Sequence, residues 1–255
     1  MRRHLLVIGA QRSGTTYLHS VLDGHPQITM ARPARPEPKV FLSEAVVGRG
    51  AQWYRRTFFA HATDEAVWGE KSTSYLEVPE AAARVARVLG PRVHVVVVLR
   101  DPVQRAVSNW RFSTDHGLET RPLERALREN LAASASWDRA ATSVSPFAYL
   151  ERGRYADYLG PWFAQFPDTT HVLFLADLVG HDAALDDLFR HLGVRTGSRP
   201  VDRETVVNQS REPAPPLPGD LVAGLREYYA ASDHALAVRL GRRPPWPTVP
   251  SESVR

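Results

Sequence analysis

The chain opens on a short apolar run, Leu5–Ile8, closed by Gly9. After a polar interval, apolar positions recur with helical spacing at Tyr17, Leu18, Val21 and Leu22, up to Gly24. That pattern predicts strand, loop, helix, and it repeats. Pro79 opens a helix whose Ala82, Val85, Ala86 and Leu89 share one face and which Gly90 stops. Val93–Leu99 follows as a continuous apolar run, the signature of a parallel strand buried on both faces. A further helix starts at Pro102 and runs through Trp110, another spans about Leu123–Ala133, and a third, Tyr155–Phe166, precedes a strand at His171–Leu175. Leu185, Leu188, Phe189 and Leu192 mark one more amphipathic helix, capped by Gly193. The polar, Pro-rich stretch Arg195–Pro218 predicts a long loop. A last helix, about Gly219–Leu240, precedes a Pro-rich tail from about residue 244.

Strands alternating with helices predict an α/β fold: an open parallel sheet flanked by helices, with its ligand crevice at the carboxyl ends of the strands. No internal repeat or linker divides the sequence, so one domain over residues 1–255 is expected. Composition refines this only slightly. With 43% hydrophobic and 24% charged residues the chain is ordinary for a globular protein, and the absence of cysteine excludes disulfides and thiolate zinc sites. The first apolar run is shorter than the ~7–15 residues of a signal-peptide core, and Val93–Leu99 falls far below the ~20 residues of a membrane span. A cytoplasmic location without membrane contact is the expectation. A net charge of +4, with no run of five like charges, permits anionic ligands without calling for nucleic acid. Of the 32 basic residues only Lys39 and Lys71 are lysines, which singles out the two places where a compact ammonium stands instead of a guanidinium.

Two segments carry candidate chemistry. Gly9-Ala-Gln-Arg12-Ser13-Gly14-Thr15-Thr16 lies between the first strand and the first helix, where backbone N–H groups and the helix dipole make an anion site. Set against the pattern G-x-x-x-x-G-K-[ST], its glycines are correctly spaced but Thr15 stands in place of the lysine that serves the β- and γ-phosphates. Such a loop serves a triphosphate poorly and a single 5′-phosphate well. In the second segment, Val93–Leu99 runs straight into Arg100-Asp101-Pro102-Val-Gln-Arg105-Ala-Val-Ser108. A guanidinium at a strand's carboxyl end and a hydroxyl on the following helix can hold a second phosphate. Taken singly, each segment also has a plainer meaning. The first can be an ordinary strand-to-helix turn. In the second, Arg100 can pair with Asp101 or another carboxylate, or Asp101 can be a magnesium-binding aspartate at the end of an apolar strand.

Together the two segments resemble those of sulfotransferases that use 3′-phosphoadenosine 5′-phosphosulfate (PAPS), whose 5′ loop reads K-x-G-T-x and whose 3′ site reads R-D-P-x-x-R-x-x-S. The resemblance extends to Arg35-Pro36-Glu37-Pro38-Lys39-Val40-Phe41, similar to a glutamate-bearing segment of heparan-sulfate glucosaminyl sulfotransferases, and to Gly69-Glu70-Lys71-Ser72-Thr73-Ser74-Tyr75. It covers Leu5 to about Trp246. It implies a P-loop-like nucleotide-binding fold and PAPS as sulfuryl donor. It places Arg12, Ser13, Gly14, Thr15 and Thr16 around the 5′-phosphosulfate, Arg100 and Ser108 around the 3′-phosphate, and Tyr155 of Gly153-Arg154-Tyr155 at the nucleotide. Glu37 is implied as the general base, with Lys71 and Arg12 as catalytic cations. Two departures stand out: Arg12 replaces the usual loop lysine, and Pro36 stands where many bacterial members carry a second lysine.

Sulfuryl transfer needs an in-line acceptor oxygen, a base for its proton, and cations over the charge that develops on the leaving phosphate oxygen. Ten histidines compete with Glu37 for the base, and sulfotransferases acting on phenols and steroids use one. His25, in Asp23-Gly24-His25-Pro26, suits a turn, while His116 falls on an acceptor-side loop. No H-E-x-x-H and no octahedral-looking set of carboxylates is present, and magnesium is not required for a leaving group held by protein cations. Trp53-Tyr54-Arg-Arg-Thr-Phe58-Phe59 resembles a base-stacking surface but suits packing around the sheet better, with Trp53 as a possible acceptor contact. The expected acceptor is a hydroxyl of a carbohydrate-like or small secondary-metabolite molecule, met by Pro33–Leu42, Ser113–Thr120 and the loop before Pro218. A P-loop small-molecule kinase and a nucleotide-binding module without turnover stay open as alternatives.

Overall fold

A computed structural model of the chain describes residues 2–134, 147–180, 182–197 and 214–249. In chain order its strands and α-helices are β1 (Arg3–Gly9), α1 (Thr15–Asp23), β2 (Ile28–Met30), α2 (Glu44–Val47), α3 (Gly50–Phe58), β3 (Val67–Lys71), α4 (Pro79–Leu89), β4 (Val93–Leu99), α5 (Pro102–Asp115), α6 (Leu123–Ala132), α7 (Tyr155–Gln165), β5 (Thr170–Phe174), α8 (Leu175–Gly180), α9 (Asp182–Leu192) and α10 (Gly219–Leu240). The strands form one parallel sheet in the order β2-β3-β1-β4-β5. The α/β class and the open parallel sheet are as the alternation predicts, and α4, β4 and α10 keep the expected bounds. The short β2, the polar β3 and the helices α2, α3 and α8 are elements that periodicity alone does not mark.

Contacts gather the chain into two compact units, the first made of the described residues of 1–99 and 159–208, the second of those of 100–158 and 209–255. In the first, one side of the sheet presents Leu5 and Val7 of β1, Val96 and Val98 of β4 and Leu173 of β5. They pack against Leu18, Val21 and Leu22 of α1 and Leu185, Leu188, Phe189 and Leu192 of α9. The alternate residues Leu6, Ile8, Val95 and Val97 are buried as well. Each such side chain gains roughly 1.5–3 kcal/mol by leaving water, so β1 and β4, apolar on both faces, take neighbouring interior places in the sheet. α3 supplies the ring cluster of this unit: Tyr54 packs on Phe59 and on His4, and Phe59 stacks on Trp68 at 5.0 Å. Packing is therefore the role of most of Trp53–Phe59. Trp53 itself is half-buried under the Arg49 guanidinium at 4.6 Å.

The second unit packs α5, α6 and α10 around Val103, Ala106, Leu127, Tyr149, Leu225 and Tyr229. Within the predicted loop Arg195–Pro218, residues 195–197 and 214–218 form neither helix nor strand, and the remainder lies outside the described residues. Among the described residues no helix is long and apolar enough to cross a membrane.

Candidate active site

β1 ends at Gly9 and the chain turns sharply into α1. A Cβ on Gly9 would lie 2.9 Å from the Cβ of Leu76, so glycine permits the close approach of this strand end to the helical turn Tyr75–Glu77. Arg12 and Gly14 adopt left-handed backbone, at φ 65° and 84°. Gly14 caps α1, whose first internal bond runs from Leu18 N to Gly14 O at 3.1 Å. The N–H groups of Thr15, Thr16 and Tyr17 therefore have no acceptor within the helix. The hydroxyl of Ser13 is fully buried and lacks a hydrogen-bond partner. A buried hydroxyl without a partner beside the first backbone N–H groups of a helix, at the positive end of its dipole, is a donor set that a phosphate or phosphosulfate satisfies.

Lys71 ends β3, paired in register with Val7 of β1, so it stands beside the strand from which this loop springs. Its Nζ lies 2.5 Å from Oε1 of Glu37, the two side chains being 9% and 15% exposed. Glu37 comes from the loop after β2, and Thr73 fixes it there: the Thr73 N–H donates to Oε2 at 3.0 Å and the hydroxyl lies 3.1–3.3 Å from both oxygens. A carboxylate offers about four lone-pair sites. The ammonium, the amide and a hydroxyl that can donate only once fill three of them. Gln11 of the loop between β1 and α1 donates to the Ser74 hydroxyl at 3.3 Å and ties that loop to the segment after β3. The first unit thus brings together the Arg12–Thr16 loop, Lys71 and Glu37.

Beneath them lies a residue that no sequence motif singles out. Glu70 points to the opposite side of β3 from Lys71 and is fully buried. Tyr54 and Tyr75 donate to it, each at 2.6 Å, as does Ser72 at 2.6 Å. Burial pushes its carboxyl above the usual range while the three hydroxyls pull the other way. The same hydroxyls reach onward, since Ser72 accepts from Lys39 N at 2.9 Å and Tyr75 from Phe41 N at 3.2 Å. Glu70 is thereby the anchor that holds the Glu37-bearing loop to β3. A second such residue is His19 of α1. Burial lowers its pKa, Asp23 and Glu37 raise it, and Lys71 and Arg32 lower it, so the ring lies within electrostatic reach of the Glu37–Lys71 pair.

In the second unit Arg100 follows β4 directly, half-buried, and burial weighs against its charge. Both oxygens of the next residue, Asp101, meet the guanidinium of Arg226, at 2.8 and 2.6 Å, and Oδ1 also accepts Val103 N at 2.9 Å to cap α5. A carboxylate engaged in this way is poorly suited to holding magnesium. Ser108 sits on α5, two turns from Arg100. Tyr155 opens α7 within the same unit. It is 1% exposed, and its hydroxyl donates to the backbone carbonyl of Arg100 at 2.7 Å.

His25 builds a turn, as expected: it bonds the carbonyl of Arg195 at 3.0 Å, accepts Gln27 N at 3.1 Å and packs on Phe189. His116 is exposed at the end of α5, bonded to the carbonyl of Phe112 at 2.8 Å. Among the described residues no group of three or more His, Asp or Glu side chains could hold a metal ion.

Comparison with known proteins adds an independent line. The family model described as "Sulfotransferase domain" matches residues 2–176. The chain is 32% identical over 167 residues to the bifunctional heparan sulfate N-deacetylase/N-sulfotransferase 1 of Caenorhabditis briggsae, which spans 64% of this chain but only 19% of that protein. It is 27% identical over 252 residues to the human heparan sulfate glucosamine 3-O-sulfotransferase 6, spanning 88% of this chain and 68% of the relative. The crystal structure of a sulfotransferase from Alicyclobacillus acidocaldarius shares the fold at a TM-score of 0.74 and 22% identity, covering 96% of this chain and 98% of that one.

Proposed function

From the premise that this chain belongs to the sulfotransferase domain family, we propose that it transfers a sulfuryl group from PAPS to a hydroxyl of a carbohydrate-like or small secondary-metabolite acceptor. The observation that carries this reading is the Glu37–Lys71 pair at 2.5 Å beside the Gly9–Thr16 loop. A base and a cation are held there in contact.

The residues divide the work as follows. Backbone N–H groups of the Arg12–Thr16 loop and the Ser13 hydroxyl hold the 5′-phosphosulfate. Arg12 and Lys71 face the charge that develops as the bond from sulfur to the bridging phosphate oxygen breaks. Arg100 and Ser108 hold the 3′-phosphate. Glu37 accepts the proton of the acceptor hydroxyl while that oxygen bonds to sulfur, and the electron pair of the breaking bond passes to the leaving nucleotide. Proton transfer neutralises Glu37 and so loosens its hold on Lys71 at the moment when the leaving oxygen gains charge. Base and cation are coupled through one hydrogen bond. The names of the two heparan sulfate relatives favour a sugar acceptor.

The test pairs nucleotides with turnover. In calorimetry, 3′-phosphoadenosine 5′-phosphate should bind far more tightly than ATP, because Thr15 removes the triphosphate lysine while Arg100 and Ser108 serve a 3′-phosphate. Labelled PAPS incubated with sugars, phenols and metabolite alcohols should label an acceptor hydroxyl. Tighter, magnesium-dependent binding of ATP would instead establish the kinase alternative.

A further inference from the structure

The tail after α10, Arg243-Pro-Pro-Trp246-Pro, has the composition of a loose end, yet Trp246 is only 7% exposed. Its indole N–H donates to Oδ2 of Asp233 on α10 at 3.1 Å, and Asp233 is itself 3% exposed. The indole ring meets Tyr155 edge-on, with centroids 6.2 Å apart and planes at 62°. Tyr155 passes the contact on by donating its hydroxyl to the carbonyl of Arg100 at 2.7 Å. Two turns before Asp233 on the same helix, Arg226 grips the carboxylate of the next residue, Asp101. Tyr155, with the tail's Trp246 against its ring, thus bonds the carbonyl of Arg100, while α10 holds the side chain that follows it. Burying a carboxylate is costly unless a partner repays it, and burial raises Asp233 to about 6. An apolar anchor would seat a tail more cheaply. What the carboxylate adds is direction, because an indole N–H bonded at one end fixes the ring at the other.

We propose that Trp246 and Asp233 are positioning residues for the nucleotide's 3′-phosphate: they hold Tyr155, and through its hydroxyl the backbone of Arg100, so that the guanidinium is set before the ligand arrives. The proposal rests on the sulfotransferase reading, because it takes the 3′-phosphate as the ligand of Arg100. Preorganisation lowers the ordering cost of binding, and it does so only for the group that Arg100 touches.

The experiment measures the affinities of 3′-phosphoadenosine 5′-phosphate and adenosine 5′-phosphate by calorimetry. It uses the full chain and the variants Trp246→Phe, Tyr155→Phe, Asp233→Leu and Asp233→Asn, each checked for folding by circular dichroism. The first three should weaken the bisphosphate about tenfold and change the monophosphate by less than about twofold. Asp233→Asn keeps an oxygen for the indole and should restore near wild-type selectivity. If Asp233→Leu fails to fold, Trp246→Phe and Tyr155→Phe decide between them. Folded variants that keep full selectivity, or that lose both nucleotides equally, overturn the proposal. A wild-type chain that does not prefer the bisphosphate removes the assignment of Arg100 to a 3′-phosphate, and this inference with it.

Discussion

Glu37 and Lys71 share a hydrogen bond at 2.5 Å in a site where both are mostly buried, so neither can be altered without stranding the other. Glu37→Gln keeps the shape and removes the basicity. Turnover should fall by ~10²–10⁴-fold with little change in nucleotide affinity. Lys71→Ala should lower kcat by about 10²-fold or more, because the ammonium matters most where charge develops. It also leaves a carboxylate without its cation, so the single variant should unfold at lower temperature than the Glu37→Gln/Lys71→Ala pair, the reverse of simple additivity. Full turnover in Glu37→Gln, together with its loss in a histidine variant such as His116→Ala or His19→Ala, would shift the base to an imidazole. Both members of the pair were legible in the sequence, Lys71 through the scarcity of lysine and Glu37 through the resemblance. Thr73 and Glu70, which hold them, were not. A hydroxyl's partner is set by tertiary contact, and nothing in Gly69-Glu70-Lys71 announces the three hydroxyl donors that Glu70 receives.

At the scale of elements, strands and helices that bury a continuous apolar stripe declared themselves: β1, β4, α4 and α10 follow from spacing alone. β2 is three residues long and β3 gives Gly69, Glu70 and Lys71 to positions that apolar periodicity leaves blank, so the half of the sheet that carries Lys71 was invisible to pattern. The Gly9–Thr16 loop was the reverse case, since its glycines announced a turn whose geometry the structure then specifies. Gly14 combines φ 84° with a position where a Cβ would lie 2.5 Å from Cδ1 of Leu175. Gly14→Ala therefore meets both a left-handed backbone, costing roughly 1–2 kcal/mol, and the first residue of α8. We expect a lowered unfolding temperature and a marked loss of affinity for 3′-phosphoadenosine 5′-phosphate in calorimetry. Wild-type affinity in this variant would mean that the loop does not hold the 5′ end.

Across the two units, buried histidines and buried carboxyls respond to acid in opposite senses, Glu70 of the first unit siding with Asp233 of the second. In the first, burial lowers His4 to about 4, with Arg55 adding to the effect, and lowers His94 to about 4, with His191 and Arg3 adding. Unfolded histidines titrate near 6.5, so between about 6.5 and 4 the unfolded chain binds more protons and stability falls as the pH falls. In the second unit Asp233 is raised to about 6 by burial, against an ordinary value of 3.8. Here the folded state binds the extra proton, and the stabilising contribution is full at low pH and is lost as the pH rises through about 6. Composition showed ten histidines and a mild positive charge but could not show which of them are buried, and hence not the sign of either effect. Urea unfolding between pH 7 and pH 5 should show a net loss of stability on acidification. His4→Phe, which keeps a ring for Tyr54, Phe59 and Trp68, should flatten that decline. Asp233→Asn removes the opposing group and should steepen it. A decline of unchanged slope in both variants would show that neither group sets the acid response.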